Sequence, residues 1–193
     1  AFPGPAQGTV AVAKCFTSAA TLESKGDEKD AHITCTAFAH DGRVSSLAIS
    51  EDGTLVASVS EKGTSIRVFK VDDNGESNDG NNSSSDGPRV VERAGVHREF
   101  YRGYKHCAIA GMRISPNNEM LAVLSANGTC HLYGLTDNIA NYWKFSRPNS
   151  VSSYCNIDCG ATDTGEIRFT PDSKTMYVAC SNGRCLRFGL SVD

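Results

Sequence analysis

The sequence predicts an all-β chain, and three observations carry that prediction. Short apolar runs recur between polar turns, Gly-containing hairpin signals follow them, and no long helical period lies between the units. These signals recur as an internal repeat. Segments 44–64, 109–129 and 165–183 align, with Ser50, Ser115 and Thr170 in one equivalent place and Gly63, Gly128 and Gly183 in another, at spacings of 65 and 55 residues. Each unit reads as strand, turn, strand, tight turn, strand. That pattern is the signature of β-propeller blades of WD-repeat type, whose period is about 40–45 residues.

The elements follow in chain order. Residues 1–13 and 33–38 supply strands of an incomplete first blade. In the first full unit Val44–Ile49 is a strand, Glu51-Asp52-Gly53 a turn, Leu55–Val59 a second strand, and Lys62-Gly63 a hairpin. The second unit repeats this with Pro116-Asn117-Asn118, Met120–Leu124 and Asn127-Gly128. The third has Pro171-Asp172-Ser173, Met176–Cys180 and Asn182-Gly183. Asn-Gly is the strongest short hairpin signal. Residues beyond the blade period fall in Ser24–Asp30, in shorter connections at Thr136–Asn141 and Arg147–Ser153, and in Asp72–Pro88. The last is rich in Asn, Ser, Gly and Asp and reads as a disordered insertion. The units are thus 1–38 (partial blade), 39–107 (blade with insertion 72–88), 108–153 (blade) and 154–193 (closing blade), about three full blades plus part of a fourth. A propeller closes to remove its sheet edges and typically has at least four blades. This chain therefore needs a missing N-terminal half, a second copy or a neighbour to complete the ring, and reads as a fragment or processed piece.

Composition narrows the function. The 193 residues carry 19 Lys plus Arg against 22 Asp plus Glu, a net charge of −3, with 39% hydrophobic and 21% charged residues. This excludes a globally basic nucleic-acid binder and a wholly disordered chain. No apolar run approaches membrane-spanning length, and the first residues lack the pattern of a signal peptide. Eight cysteines (15, 35, 107, 130, 155, 159, 180 and 185) sit mostly in apolar, strand-like runs and read as buried thiols rather than disulfides or a zinc site. The sequons at Asn81, Asn82 and Asn127 would matter only in a secreted protein. There is no nucleophile elbow, phosphate loop or metal-binding helix, so neither an enzyme, a metal site nor a cofactor is expected.

Four motifs in order go beyond a generic repeat: Ala39-His40; Ser60-Glu61-Lys62-Gly63-Thr64-Ser65-Ile66-Arg67; Phe100-Tyr101-Arg102-Gly103; and Ser125-Ala126-Asn127-Gly128-Thr129-Cys130-His131. With Phe2-Pro3-Gly4-Pro5 they resemble, over essentially the whole chain, the C-terminal half of the PROPPIN family. Those are seven-bladed, phosphoinositide-binding propellers of the WIPI type that act in autophagy. The resemblance implies a non-enzymatic effector that reads phosphatidylinositol 3-phosphate or 3,5-bisphosphate. It would sit in the cytoplasm, peripherally on autophagosomal or endosomal membranes, with an autophagy scaffold protein as partner and no nucleic acid.

The resemblance also implies two headgroup sites on opposite sides of one blade. One uses Arg102, Ser125, Thr129 and His131, with Lys105 and His106 adding positive charge. The other uses His40, Ser60, Lys62, Thr64 and Arg67. The residues agree with this as chemistry: adjacent strand residues face opposite ways, so residues 101 and 102 serve different pockets. A guanidinium fork suits phosphate, and hydroxyls and an imidazole complete a cradle. The same residues have plainer readings. Arg102 is also a surface arginine, His131 also a histidine bonding between blades, and the hydroxyl residues also suit turns.

Two departures from the family pattern stand out. Tyr101 replaces the first arginine of the pair and weakens the second-named site. Arg98 lies an odd number of positions away and should project from the opposite face. An extra residue between Gly63 and Arg67 suggests a bulge that re-aims Arg67. The segment after His131, where the family carries a long membrane-inserting loop, is only Thr136–Asn141. That leaves Ile139, with Tyr142 and Trp143, to meet lipid, although Trp143 also reads as a core aromatic. The alternative function is a protein-interaction propeller that has lost useful lipid affinity.

Overall fold

The computed structural model describes residues 1–4, 6–14, 32–71, 90–91, 96–136 and 155–190. Its strands form four sheets. The first joins β1 (Phe2–Pro3), β2 (Thr9–Lys14), β3 (His32–Phe38) and the two-residue β7 (Val90–Val91), which runs parallel to β3. The second is β4 (Val44–Ile49), β5 (Leu55–Ser60), β6 (Ser65–Lys70) and β8 (Val96–Tyr101). The third is β9 (Ile109–Ile114), β10 (Met120–Ser125), β11 (Thr129–Gly134) and β12 (Cys155–Asp158). The fourth is β13 (Gly165–Phe169), β14 (Thr175–Cys180) and β15 (Cys185–Gly189).

Strand membership shifts two of the expected unit boundaries. Residues 155–158 pair with β11 and close the third sheet, so the fourth unit starts after Asp158 rather than at 154. Residues 90–91, expected inside the 39–107 unit, pair with β3 of the first sheet. Blade boundaries follow hydrogen bonding, and an outer strand reached through a long connection leaves little trace in the apolar pattern. The expected loops 24–30, 72–88 and 147–153, most of 136–141, the candidates Ile139, Tyr142 and Trp143, the sequons at Asn81 and Asn82, and Cys15 lie outside the described residues.

Three apolar clusters hold neighbouring sheets together. Val10, Val12, Val56 and Phe69 join the first sheet to the second. Ala57, Val59, Ile66, Val68, Phe100, Leu121, Val123 and Tyr133 join the second to the third. Leu124, Leu132, Ile167, Met176 and Val178 join the third to the fourth. Alternate residues of one strand enter different clusters, and so β5 and β10 are buried along their whole length. In β14 only alternate residues are buried, and Tyr177 is 39% exposed on the other face. Cys130, Cys159 and Cys180 are buried thiols inside the third-to-fourth cluster, outside any disulfide, as buried small hydrophobes should be, while Cys185 is exposed.

The repeated Ser/Thr has a mechanical reason. Each hydroxyl donates to the Asx side chain two residues on: Ser50 to Asp52 at 2.6 Å, Ser115 to Asn117 at 2.7 Å, and Thr170 to Asp172 at 2.5 Å. Each also accepts from the N–H that opens the next strand, at Leu55, Met120 and Thr175. The following residue is left-handed in all three turns, with φ of 76° at Gly53, 58° at Asn118 and 57° at Ser173. The turns also bond from sheet to sheet, Asn118 Nδ2 donating to Asp52 Oδ2 at 2.7 Å and Asn117 N to Ser173 Oγ at 3.2 Å. Held by these donors, the Asp52 carboxyl titrates at about 2, the Ser50 hydroxyl contributing most.

Candidate functional site

The candidate residues fall into two inter-sheet junctions built on the same plan. At the opposite edge from the Asx turns, each hairpin glycine meets the backbone that enters the following sheet. A Cβ on Gly8 would lie 1.7 Å from His40 O, on Gly63 1.9 Å from Cys107 O, and on Gly128 2.1 Å from Gly160 C. The first junction lies between sheets one and two, the second between sheets two and three.

Strand parity assigns each side chain to its junction. In β8, Phe100 packs in the cluster of the second junction, its ring centroid 4.8 Å from that of Tyr133. Arg102 continues the pairing through its N–H to Thr64 O at 2.8 Å, so it shares the face of Phe100. Glu99 and Tyr101 face the first junction, opposite Arg67 and Ser65 respectively. Arg98 shares the parity of Phe100 and Arg102, away from Tyr101.

In the second junction the Arg102 guanidinium is fixed by two backbone carbonyls, Nε donating to Gly63 O and Nη2 to Lys105 O. From β10 and β11, Ser125, Thr129, His131 and Tyr133 present to the same side, in line with Leu121 and Val123 of the cluster. The Ser125 hydroxyl is fully buried and has no hydrogen-bond partner among the described residues, and the Tyr133 hydroxyl is in the same state. Thr129 is half-buried and its N–H bonds Asn127 Oδ1 at 3.2 Å, which shapes the three-residue hairpin. His131 is buried; desolvation lowers its pKa, a hydrogen bond with Asn156 opposes this, and the nearby Arg102 charge lowers it further. It is therefore a neutral imidazole at pH 7, stacked on Tyr133 at 6.3 Å. Lys105 and His106 are exposed beside Arg102. The arrangement offers a fixed cation, an unused hydroxyl and a neutral ring, suited to a single anion with hydroxyl neighbours.

The first junction is chemically closed. His40 is buried with its Nε2 3.0 Å from the Ser58 hydroxyl, and its pKa drops to about 4, chiefly through burial and then through the Arg67 charge. Arg67 Nε donates to Glu99 Oε1 at 2.9 Å, and its Nη1 to Ala39 O. Ser60 is buried, Lys62 exposed and Thr64 half-buried on the hairpin, whose carbonyls take the N–H groups of Gly63, Cys107 and Arg102. The bulge expected before Arg67 is not there. Pairing of β5 with β6 is regular from Leu55↔Lys70 to Val59↔Ile66, and the extra residue lengthens the hairpin instead. Arg67 opposite Ser58 is thus the counterpart of His131 opposite Val123. Sequence reasoning missed Glu99, Ser58 and Tyr133. Placing 96–101 beside 65–70 as a strand would have found Glu99, and i±2 parity from Ser60 and His131 the other two.

Comparison with known proteins agrees with this architecture. A WD domain, G-beta repeat model matches residues 29–70. Autophagy-related protein 18 of Kluyveromyces marxianus is 34% identical over 120 residues, 62% of this chain and 19% of that protein. The solved Kluyveromyces lactis Hsv2 superposes with a TM-score of 0.66 at 25% identity, covering 97% of this chain and 51% of that one. A complex of KlAtg21 with the coiled-coil of AgAtg16 gives 0.56 at 26% identity, covering 80% of this chain and 39% of that one. The chain spans about half the length of the solved Hsv2 and less of the curated relative. It is similar in sequence to autophagy-related protein 18 and in fold to the Hsv2 propeller, and carries a WD-type repeat.

Proposed function

We propose that the chain carries one working phosphoinositide headgroup site, at the second junction, and that it serves as a peripheral, non-enzymatic membrane effector. The observation that carries this reading is the presence, at one junction, of Arg102 fixed by carbonyls and of a buried Ser125 hydroxyl that has no partner among the described residues, on the face shared by Thr129 and His131. A buried hydroxyl without a partner costs about 1–3 kcal/mol, which a ligand oxygen would recover. Arg102 supplies charge-assisted donors to a phosphate, Ser125 and Thr129 supply hydroxyls, and neutral His131 donates or accepts at a ring nitrogen. Lys105 and His106 add attraction at the rim. The first junction contributes little to anion binding, because Glu99 neutralises Arg67, His40 is uncharged, and Tyr101 brings no cation.

Flotation with vesicles carrying phosphatidylinositol 3-phosphate tests the reading. Wild type is expected to float and Arg102→Ala to stay down, a loss of about 10- to 100-fold for a charged hydrogen-bonding group. Equal flotation of the two proteins would sink it.

A second reading is a protein-docking propeller. The solved relative complexed with a coiled-coil favours it, as does the charge-neutral first junction. It predicts that wild type ignores the inositide vesicles while binding a coiled-coil scaffold segment.

A further inference from the structure

Among the large hydrophobic side chains open to solvent, Phe38, Ile49 and Tyr177 are 36–41% exposed, and Tyr104 is 81% exposed. A single exposed aromatic is ordinary. Tyr104 differs in its surroundings. Its ring packs edge-on against Tyr101, with centroids 5.3 Å apart and planes at 71°. Its loop is fastened on both sides, by Arg102 Nη2 to Lys105 O and by Cys107 N to Lys62 O at 3.2 Å. Gly103, at φ 149°, breaks the strand alternation directly after Arg102. The next two side chains, Lys105 and His106, are exposed as well. An amphipathic ring, resting on Tyr101, and a cation, whose own carbonyl holds Arg102, are therefore carried on one short loop beside the second junction, with little ordering entropy left to lose on contact.

We propose that Tyr104, braced by Tyr101 and flanked by Lys105 and His106, is an interfacial anchor that seats the second junction on an anionic lipid surface. The inference rests on the headgroup reading of that junction. Tyrosine favours the headgroup level of a bilayer, where its ring is half-immersed and its hydroxyl wet. Lysine is attracted to an anionic surface. Tyr101, whose ring brings no charge to the first junction, instead supports an aromatic on the outer surface. A bilayer is the occupant that fits best because the loop is tied to Arg102 through the Lys105 carbonyl and its lysine is opposite in charge to the membrane.

The test compares wild type, Tyr104→Ala, Tyr104→Trp, Lys105→Glu and Arg102→Ala in two binding assays. One uses phosphatidylcholine vesicles containing phosphatidylinositol 3-phosphate; the other uses a soluble short-chain form of the same lipid. Tyr104→Ala and Lys105→Glu should each weaken vesicle binding by about fivefold. Tyr104→Ala should leave soluble-lipid affinity unchanged, and Tyr104→Trp should hold vesicle binding at or above wild type. If Arg102→Ala abolishes soluble-lipid binding while Tyr104→Ala and Lys105→Glu bind vesicles like wild type, the anchor is wrong and the headgroup site stands. If Tyr104→Ala weakens vesicle binding while Arg102→Ala changes neither assay, the anchor stands and the headgroup site falls. Wild type that ignores vesicles but binds an acidic peptide through Tyr104 would overturn the proposal in favour of a protein partner.

Discussion

The two junctions of the second sheet share a plan and differ in charge balance. Each has a hairpin glycine against the incoming backbone, a β-strand serine facing the neighbouring sheet, and a histidine or arginine at the same register position. In the first, Arg67 is matched by Glu99 and Ala39 O, and His40 by Ser58. In the second, Arg102 meets only backbone carbonyls, and the Ser125 hydroxyl meets nothing among the described residues. A repeat can therefore keep its geometry while one copy closes on internal partners and another leaves a buried hydroxyl without one among the described residues. What separates them is the inventory of partners, together with which register positions carry the polar groups.

The largest effect should come from erasing that difference. Glu99→Gln releases Arg67, and Tyr101→Arg supplies the missing cation on the same face. The double variant should then hold a second headgroup, and two linked sites raise vesicle binding by about a hundredfold at the low end of multivalent gains. Flotation of the double variant with Arg102→Ala added isolates the new site. No gain over wild type would mean that the first junction is too tightly closed to admit an anion.

A second break targets the shared plan. Gly63→Ala and Gly128→Ala would each drive a methyl into backbone, at Cys107 O and Gly160 C, and should cost more than about 2 kcal/mol. Gly183 is the equivalent residue of the fourth sheet, at φ 86°, and nothing lies within 4 Å of its would-be Cβ. Gly183→Ala should therefore cost only the left-handed strain, about 1 kcal/mol. Urea denaturation of the three variants measures the gap. Equal losses would show that close approach matters less than backbone conformation.

Most of the fold and half of the site logic were legible in the chain. The Ser/Thr and Gly positions of the repeat could be aligned because each does one fixed job, bonding an Asx turn or admitting a neighbouring backbone. The alternation that sends residues 101 and 102 to different junctions follows from strand geometry alone. The outer strands β7 and β12 were not legible as to sheet, since long connections separate them from their partners. Glu99 was hidden for a related reason: its partner Arg67 is 32 residues away, and only the β6–β8 register brings them together. The Arg67 bulge failed because an extra residue is accommodated more cheaply in a hairpin loop than within a fully buried ladder.

The closed junction also carries a pH signature. His40 has a folded pKa of about 4 against an ordinary 6.5, so the unfolded chain binds the proton more tightly. Its contribution to stability is complete above pH 6.5 and is lost as pH falls from there to about 4. Wild type should lose on the order of 5 °C in melting temperature across that window beyond what His40→Asn loses. Parallel melting curves of the two proteins would show that burial of His40 has no energetic consequence.

The smallest effects make the sharpest contrast, because the two serines should respond with opposite sign. Ser58 and Ser125 are both fully buried strand residues at inter-sheet junctions. Ser58→Ala strips a partner from the His40 ring and should destabilise the protein by about 1 kcal/mol. Ser125→Ala removes a hydroxyl that lacks a partner among the described residues, so stability should hold or rise by up to about 1 kcal/mol. If that hydroxyl is kept for a ligand, the same substitution should weaken headgroup binding by about fivefold, one neutral hydrogen bond's worth. A Ser125→Ala variant that is destabilised as much as Ser58→Ala, with unchanged binding, would make both serines structural and remove the distinction between the junctions.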